Sequence, residues 1–254
     1  MSQPDGDGSQ PIRGRHRPSR RDPTKRLTRR RWSWLRRGAG VLVVAVLGSM
    51  FIKAFILQSF FIPSASMEPA LHGCPGCFGD RVLVSKVTKY IGGVHRGDIV
   101  VFRDPGGWLG HGSVAPRTST SRLDDALVFI GLAASSSESD FVKRVVGIGG
   151  DTVEGRAGKV YVNGTQLVEP YVFPSDSATE IDFKVTVPGD NLWVMGDHRS
   201  DSADSRLLQQ APGKGFVPLS DVVGRAFVII GPRSRIGLLD RPATFDLVAA
   251  STGH

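Results

Sequence analysis

The longest apolar stretch of the chain lies near its N-terminal end. It runs from Gly38 to Leu57 and contains a single charged residue, Lys53. As an α-helix rising 1.5 Å per residue, this stretch would be about 30 Å long, which is the thickness of a bilayer core. The pattern therefore predicts a transmembrane helix over residues 38–57. A buried core helix or the apolar part of a cleavable signal peptide would give a similar stretch.

Beyond residue 58, apolar residues come in short β-branched runs bounded by Gly, Asn and Asp. Such runs predict strands, and Asn163-Gly164 predicts a two-residue hairpin turn. Segments with helical periodicity are scarce, so the fold class is mainly β, with a β-rich domain over residues 58–232. The predicted strands are 81–86, 98–102, 159–168, 185–187, 191–195 and 222–230.

Three other segments lack regular patterning. Residues 1–37 are rich in Arg, Pro, Ser and Gly and cannot bury enough apolar surface to fold, so we expect a disordered tail. Residues 104–140 are rich in Gly, Ser and Thr, with one short apolar patch at Leu127–Ala134, and are predicted to form a loop or insertion. Residues 233–254 are expected to form a C-terminal tail.

The net positive charge of the chain comes from its N-terminal tail. Residues 1–37 hold 12 Lys and Arg against three Asp, whereas the remaining residues hold 20 Lys and Arg against 21 Asp and Glu. Because Lys and Arg are enriched on the cytoplasmic side of membrane helices, this asymmetry places the tail in the cytoplasm and the β-rich domain outside. A basic arm with Trp32 and Trp34 could instead bind RNA or DNA. A flank beside the membrane explains both features, and no nucleic-acid partner is predicted.

The two cysteines, Cys74 and Cys77, lie in a Cys-Pro-Gly-Cys segment. Outside the membrane, an oxidising compartment favours a disulfide between them. The closed loop is very short, so its entropic stabilisation should be small. A redox-active pair would need a βαβ context, which the pattern does not provide. Two cysteines and scattered histidines predict no metal site.

A serine just past the apolar stretch and a lysine within an apolar run are the candidate catalytic residues. Ser66 lies nine residues beyond the predicted helix, and Lys143 lies among Phe141, Val142 and Val145. A serine hydroxyl needs a base beside it. Burial among apolar groups lowers the pKa of a lysine, which makes part of it neutral near pH 7. Histidine is the alternative base, and the candidates are His72, His95, His111 and His198.

Four motifs follow the apolar stretch in order. They read Pro63-Ser-Ala-Ser66-Met67-Glu-Pro69-Ala-Leu71, Arg96-Gly-Asp98-Ile-Val-Val-Phe102, Lys143-Arg-Val-Val-Gly-Ile-Gly-Gly-Asp151 and Met195-Gly-Asp197-His-Arg-Ser-Asp-Ser202-Ala-Asp204-Ser-Arg206. Together they resemble the motifs of bacterial signal peptidase I, the Ser–Lys peptidase that removes signal peptides from exported proteins. The resemblance covers about residues 38–231. One motif alone would be weak, but four in order after a predicted membrane helix are specific.

The resemblance implies a role for each site residue. Ser66 is the expected nucleophile, and Lys143 is the expected general base that later protonates the leaving amine. Ser64 and the Ser66 N–H are expected to form the oxyanion hole, since residues two apart in an extended segment point to the same side. Ser202 is expected to hydrogen-bond and orient the Lys143 amine. The loop that supports these groups is expected to depend on Asp197 and Arg199 and on an ion pair between Asp204 and Arg206.

The resemblance also implies a substrate, partners and a location. It describes a membrane-anchored serine endopeptidase that cuts signal peptides after small residues, in an Ala-x-Ala pattern. The partners would be signal-peptide-bearing preproteins emerging from the export machinery, together with the lipid bilayer, and no cofactor is implied. The chain would cross the cell membrane once, with its N-terminus cytoplasmic and its catalytic domain extracytoplasmic. Val82, Val84 and Val145 are candidates to line the substrate pockets.

The chain departs from the family pattern in two places. His198 and Ser200-Asp201 stand where the pattern has Asn and Asp-Asn. Residues 152–192 are short for the accessory β-domain of larger members, so a reduced region of one or two hairpins is expected.

Three other functions fit parts of the sequence. A self-cleaving Ser–Lys repressor would carry a helix-turn-helix and no membrane span, which is the reverse of this chain. A processing subunit of eukaryotic or archaeal type would have His in place of Lys143. A membrane-tethered scaffold with an inactive β-domain is distinguished from a peptidase only by an activity measurement.

Overall fold

The structure is a computed structural model that describes residues 37–49, 56–74, 79–87, 92–108 and 140–249. The chain divides into two units, Met1–Gly48 and Ser49–His254. The described residues of the first unit, 37–48, all lie in helix α1, which covers residues 37–49, and the Val and Leu side chains of the helix are exposed. Within these described ranges, no helix combines the length and apolar character needed to span a bilayer. Most of the predicted tail, residues 1–36, and residues 50–55 of the predicted span lie outside the described residues.

The last residue of the predicted membrane span belongs to a strand and not to a helix. Leu57 begins strand β1, Leu57–Phe61, and lies opposite Ser85 of the next strand in an antiparallel pair. Periodicity cannot separate a helix from a strand at the end of a continuous apolar run. Here the pairing partner decides, and the predicted span is too long at its C-terminal end.

The second unit contains twelve strands in its described residues, and all their pairings are antiparallel. After β1 they are β2 Arg81–Ser85, β3 Ile99–Arg103, β4 Asp140–Ile148, β5 Thr152–Arg156, β6 Lys159–Val162, β7 Thr165–Gln166, β8 Phe183–Thr186, β9 Asn191–Met195, β10 Val217–Pro218, β11 Val222–Gly231 and β12 Gly237–Leu238. The larger sheet has the order β1-β2-β11-β3-β4-β9-β10, with β12 beside β11, and the smaller has the order β7-β6-β5-β8. The prediction of a mainly β domain is confirmed.

The region 152–192 forms more structure than the predicted hairpin or two. Asn163 and Gly164 make the expected turn, with φ values of 51° and 80°, and this turn joins β6 to β7. Strands β5 and β8 complete a four-stranded sheet around them. Strand β8 overlaps the predicted strand 185–187, whereas β5, which carries charged residues, was not predicted.

Strand β3 lies at the centre of the larger sheet, between β11 and β4. Val100 and Phe102 pack into one core cluster and Ile99 and Val101 into another, so both faces of the strand are buried. Full burial of such a side chain contributes about 1.5–3 kcal/mol. The neighbouring strand β4, which carries Lys143, is therefore held by a central and well-packed part of the fold.

The predicted insertion over residues 104–140 is described only at its two ends. Asp140 begins β4, and residues 109–139 lie outside the described residues. Trp108, just before them, is buried and meets Phe102 edge-on, with ring centroids 5.2 Å apart. The N-terminal end of this segment is therefore anchored in the core.

The segment predicted as a C-terminal tail is packed on the domain over its described residues. It contains β12 and the 3-10 helices Arg233–Arg235 and Ala243–Leu247. Phe245 is buried in the core cluster of the smaller sheet. The sparse apolar residues of this segment gave no periodic pattern, although Val248 is buried in the same cluster and β12 pairs with β11.

Candidate active site

Ser66 lies in a short turn that the core holds in place. Strand β1 ends at Phe61, Ser64 is extended (φ −128°, ψ 155°), and the 3-10 helix Ala65–Met67 follows. Met67 is buried in the cluster between β1, β2 and β11, and its carbonyl accepts a hydrogen bond from the Leu71 N–H. The Ser66 hydroxyl is thereby fixed beside the central strands, although Ser66 itself is not in a strand.

Lys143 meets Ser66 directly. Its Nζ donates a hydrogen bond to Ser66 Oγ at 2.7 Å, and only 4% of the lysine is exposed. Burial lowers the pKa of Lys143 to about 8; the Asp204 carboxylate opposes this effect and Arg206 adds to it. At a pKa of 8, about one lysine in ten is neutral at pH 7. The pair has the geometry of a nucleophile and a base that can remove its proton.

The hydroxyl of Ser64 lies beside the hydroxyl of Ser66. Ser64 Oγ lies 3.2 Å from Ser66 Oγ, within hydrogen-bond distance. A hydroxyl so placed can donate to negative charge that develops on an oxygen beside the nucleophile. The expectation that Ser64 and Ser66 point to the same side is met, whereas the oxyanion role remains a prediction.

The carboxylate of Asp204 accepts several of the hydrogen bonds that hold the loop after β9. This buried carboxylate accepts hydrogen bonds from the Gly196 N–H at 3.0 Å, the Ser202 hydroxyl at 2.9 Å and the Arg206 guanidinium at 2.8 and 2.9 Å. Although burial alone would raise it, these donors hold the pKa of Asp204 below its usual value. The predicted Asp204–Arg206 pair is thus present as a buried, bidentate contact.

Ser202 differs from the prediction. Its hydroxyl was expected to hydrogen-bond to the Lys143 amine, but it donates to Asp204 Oδ2, while the Lys143 amine donates to Ser66. A carboxylate is the stronger acceptor for a hydroxyl proton. The described hydrogen bonds connect Ser202 to Asp204, whose charge raises the pKa of the lysine.

Asp197 and Arg199 hold the loop through partners that the sequence did not indicate. Arg144, the neighbour of Lys143 on β4, donates to both Asp197 oxygens, at 2.8 and 2.6 Å. Arg199 donates to the carbonyls of Gly196 and Ala178 and pairs with Glu169. Adjacent residues on a strand point to opposite faces, so β4 presents Lys143 to the nucleophile and Arg144 to the supporting loop.

The segment after β7 supplies contacts that sequence reasoning missed. Glu169 pairs with Arg199 and accepts a hydrogen bond from the Tyr171 hydroxyl. Asp176 accepts from the backbone N–H and the hydroxyl of Ser200, at 3.0 and 2.9 Å. Both acids lie in the region expected to be a reduced hairpin, and nothing in their spacing pointed to the loop that they hold.

The alternative bases do not reach the nucleophile in the described part of the chain. The side chain of His72 pairs with Glu68, that of His95 lies near Asp98, and that of His198 stacks on Phe173. The contact of His198 with Ser66 is through its backbone N–H, which donates to the Ser66 carbonyl at 3.2 Å. The fourth candidate, His111, lies outside the described residues.

The remaining predictions concern the cysteines, metals and pockets. Cys74 is disulfide-bonded, and Cys77 lies outside the described residues, so their pairing stays a prediction. Among the described side chains, no group of three or more His, Cys, Asp or Glu could hold a metal ion. Val82, Val84 and Val145 are completely buried in the core clusters, so the prediction that they line open substrate pockets is wrong.

Comparison with known proteins gives a consistent picture. The family model described as signal peptidase, peptidase S26, matches residues 31–230. Signal peptidase I of Mycobacterium tuberculosis is 39% identical over 234 residues, which cover 85% of this chain and 77% of the relative. Probable signal peptidase I-2 of a Synechocystis species is 34% identical over 86% of this chain and 83% of its own length. A solved signal peptidase I from Enterococcus faecalis, 26% identical, covers 52% of this chain and 95% of its own, but its TM-score of 0.33 is too low to carry an argument.

Proposed function

Because this chain belongs to the peptidase S26 family of signal peptidases, we propose that it cleaves signal peptides with Ser66 as nucleophile and Lys143 as general base. The chain is a serine endopeptidase, and the proposal assigns its catalytic groups. One observation carries the assignment: the buried Lys143 amine and the Ser66 hydroxyl share a 2.7 Å hydrogen bond.

The first half of the reaction transfers the acyl group to Ser66. Neutral Lys143 Nζ takes the proton of Ser66 Oγ as this oxygen attacks the carbonyl carbon of the scissile peptide bond. The carbonyl oxygen gains negative charge, and the Ser64 hydroxyl and the Ser66 N–H donate to it. The Lys143 ammonium then gives its proton to the leaving nitrogen. The C–N bond breaks, and the signal peptide remains as an ester on Ser66.

The second half releases the signal peptide. Lys143, neutral again, takes a proton from a water that attacks the ester carbonyl, and the same two donors stabilise the second oxyanion. Return of the proton to Ser66 Oγ breaks the ester and regenerates the starting state. Removing one donor of this kind typically lowers kcat by about 10²–10³-fold, which sets the loss expected from Ser64→Ala.

The proposed cleavage rule is that small residues, with alanine preferred, occupy the first and third positions before the scissile bond. This rule rests on the resemblance of the four motifs to those of bacterial signal peptidase I. A peptide with bulky residues at both positions should be cut far more slowly than its alanine counterpart. Equal rates for the two peptides would contradict the rule.

The proposed location is the cell membrane, with the apolar stretch from residue 38 up to the residues before Leu57 as a single anchor and residues 1–37 in the cytoplasm. The support is the confinement of basic charge to residues 1–37 and the apolar character of the stretch that follows. The catalytic unit would then meet preproteins on the outer side, where they emerge from the export machinery. Retention of the full-length protein in membranes after alkaline extraction tests the anchor, and its release would contradict it.

The test of the catalytic assignment is cleavage of a purified preprotein by the full-length enzyme in detergent, beside its Ser66→Ala and Lys143→Ala variants. The proposal predicts cutting at the signal-peptide junction by the wild type only. Activity in Lys143→Ala but not in Ser66→Ala would point to another base, with the histidines next. An intact preprotein with the wild type, where a known processing enzyme cuts it, would favour a scaffold.

A further inference from the structure

The position of Ser64 depends on the loop between the 3-10 helix Ala65–Met67 and β2, of which residues 68–74 and 79–80 are described. The described residues at the end of this loop return to the backbone that precedes Ser64. Ser64 lies in a bend between β1 and the 3-10 helix Ala65–Met67 and belongs to neither. An oxyanion donor stabilises the transition state only if it is held in the productive geometry, and a 1 Å displacement can lower a rate by about 100-fold. Contacts from outside the turn must therefore hold the Ser64 backbone.

Two glycines bring the loop against this backbone. A Cβ added to Gly73 would lie 2.6 Å from both the Ile62 and the Ser64 carbonyl oxygens, and one added to Gly79 would collide with the Ile62 oxygen. Neither position has room for a side chain. The main chain of the returning loop thus lies directly on the peptide groups from Ile62 to Ser64.

Asp80 ties the base of this loop together. Its carbonyl accepts a hydrogen bond from the Ile62 N–H at 2.9 Å, and its N–H donates to the His72 carbonyl at 2.7 Å. The His72 N–H donates in turn to Asp80 Oδ2 at 2.8 Å. Asp80 is completely buried, so its carboxylate needs charged or polar partners to offset its loss of hydration.

Arg235 supplies the charged partner from the C-terminal segment. Its Nε lies 2.9 and 3.1 Å from the two Asp80 oxygens, and its Nη2 approaches the carbonyls of Pro69 and Ala70, both at 3.4 Å. Asp80 and Arg235 are 155 positions apart, and Arg235 lies beyond the residues that match the family model. The segment expected to be a tail therefore contacts both ends of the loop that follows the nucleophile.

We propose that Asp80 and Arg235 form a positioning pair that holds Ser64 where it donates to the oxyanion. Arg235 neutralises the Asp80 carboxylate. Asp80 in turn holds the backbone of Ile62 and His72 by hydrogen bonds, and the loop then packs against the Ser64 peptide group. The pair touches no reacting atom and acts through Ser64. This inference rests on the proposed function, in which Ser64 is an oxyanion donor.

The test is a double-mutant cycle between Arg235→Gln and Ser64→Ala in the full-length enzyme, with kcat and KM measured on a preprotein. Arg235→Gln should lower kcat about tenfold with KM changed less than twofold, and Arg235→Lys should recover part of the loss. In the Ser64→Ala background, Arg235→Gln should change kcat less than twofold, because the group it positions is gone. Arg233→Gln, at an exposed arginine of the same 3-10 helix, is the matched control and should leave kcat unchanged.

Thermal melting and the cycle together separate the outcomes. If Arg235→Gln lowers kcat equally with and without the Ser64 hydroxyl, or does not lower it, the positioning inference is overturned while the proposed function stands. If Ser64→Ala alone keeps full kcat, the oxyanion role fails and the inference fails with it. Should Arg235→Gln melt below the assay temperature, the same cycle run with Arg235→Lys decides by the same criteria.

Discussion

Lys143 Nζ and Ser66 Oγ are 2.7 Å apart although the two residues are separated by 77 positions in the chain. The lysine lies on β4, which pairs with β3, a strand that is buried from Ile99 to Phe102, and the serine lies in a turn anchored through Met67. The lysine is buried because the nucleophile turn and the loop after β9 cover it. Its pKa of about 8 follows mainly from that burial. Position and basicity of the proposed base thus have the same structural origin.

The charges of Asp204 and Arg206 should shift the pH dependence of activity in opposite directions. Asp204 favours the ammonium form of Lys143, so Asp204→Asn should lower the pKa of the lysine and move the acidic limb of kcat/KM to lower pH. Arg206 disfavours the ammonium form, so Arg206→Gln should move the limb to higher pH. Each shift should be about one pH unit, measured from kcat/KM between pH 6 and 10.

These two variants control for each other. Both remove the same buried ion pair, so both should lose stability, by about 3–5 kcal/mol. A loss of packing alone would move the two limbs in the same direction or not at all. Limbs that shift together would therefore contradict the electrostatic account of the Lys143 pKa.

Replacing Lys143 with methionine should stabilise the protein at pH 7 while abolishing activity. Below pH 8 the lysine is protonated in the folded state despite its burial, and the shift of its pKa from 10.5 to about 8 corresponds to about 3 kcal/mol. Loss of the Ser66 hydrogen bond offsets about 1 kcal/mol of this. Urea unfolding of Lys143→Met at pH 7 should therefore show a gain of about 2 kcal/mol.

The stability difference between Lys143→Met and the wild type should depend on pH, and this dependence is the control for the prediction. Between pH 8 and 10.5 the unfolded chain binds more protons at Lys143 than the folded chain does, so wild-type stability gains from rising pH over this window. The advantage of Lys143→Met should disappear by pH 10.5. Lys159→Met, at an exposed lysine of β6, should change stability by less than about 0.5 kcal/mol. A Lys143→Met variant less stable than wild type at pH 7 would contradict the account.

A single methyl group at Gly196 should displace the nucleophile. A Cβ there would collide with the Ser202 hydroxyl and lie 2.5 Å from the Ser66 carbonyl oxygen. Gly196→Ala should lower kcat/KM by at least about 100-fold, since a shift near 1 Å has an effect of that size. Gly189→Ala, where the added Cβ meets nothing within 4 Å, should leave kcat/KM close to wild type. Similar activity of the two variants would show that the loop does not fix Ser66.

The residues proposed to carry the chemistry were identifiable from the sequence because they lie in short motifs. Ser64, Ser66 and Lys143 were predicted from their motifs and are found together, and Asp204 and Arg206 form the expected pair. The mainly β fold was also predictable, because β-branched runs bounded by turn residues are a local signal.

What the sequence did not reveal depends on contacts between distant segments. The Arg144–Asp197 pair spans 53 positions and the Arg199–Glu169 pair spans 30. Such pairs are set by strand register, which no local pattern gives. Strands β10 and β12 have two residues each, too few to show alternation. The end of the predicted span was misassigned because an apolar run continues from one element into the next.

The most direct test of the Ser66–Lys143 assignment is the pH dependence of kcat/KM for the wild-type enzyme on a preprotein with alanine at both specificity positions. Only neutral Lys143 can accept the Ser66 proton, so kcat/KM should rise about tenfold per pH unit below pH 8 and level off above it. Any activity that remains in Lys143→Ala should show no change of kcat/KM that titrates near pH 8. A wild-type profile that levels off near pH 6.5, where histidine usually titrates, or that is flat, would contradict Lys143 as the base.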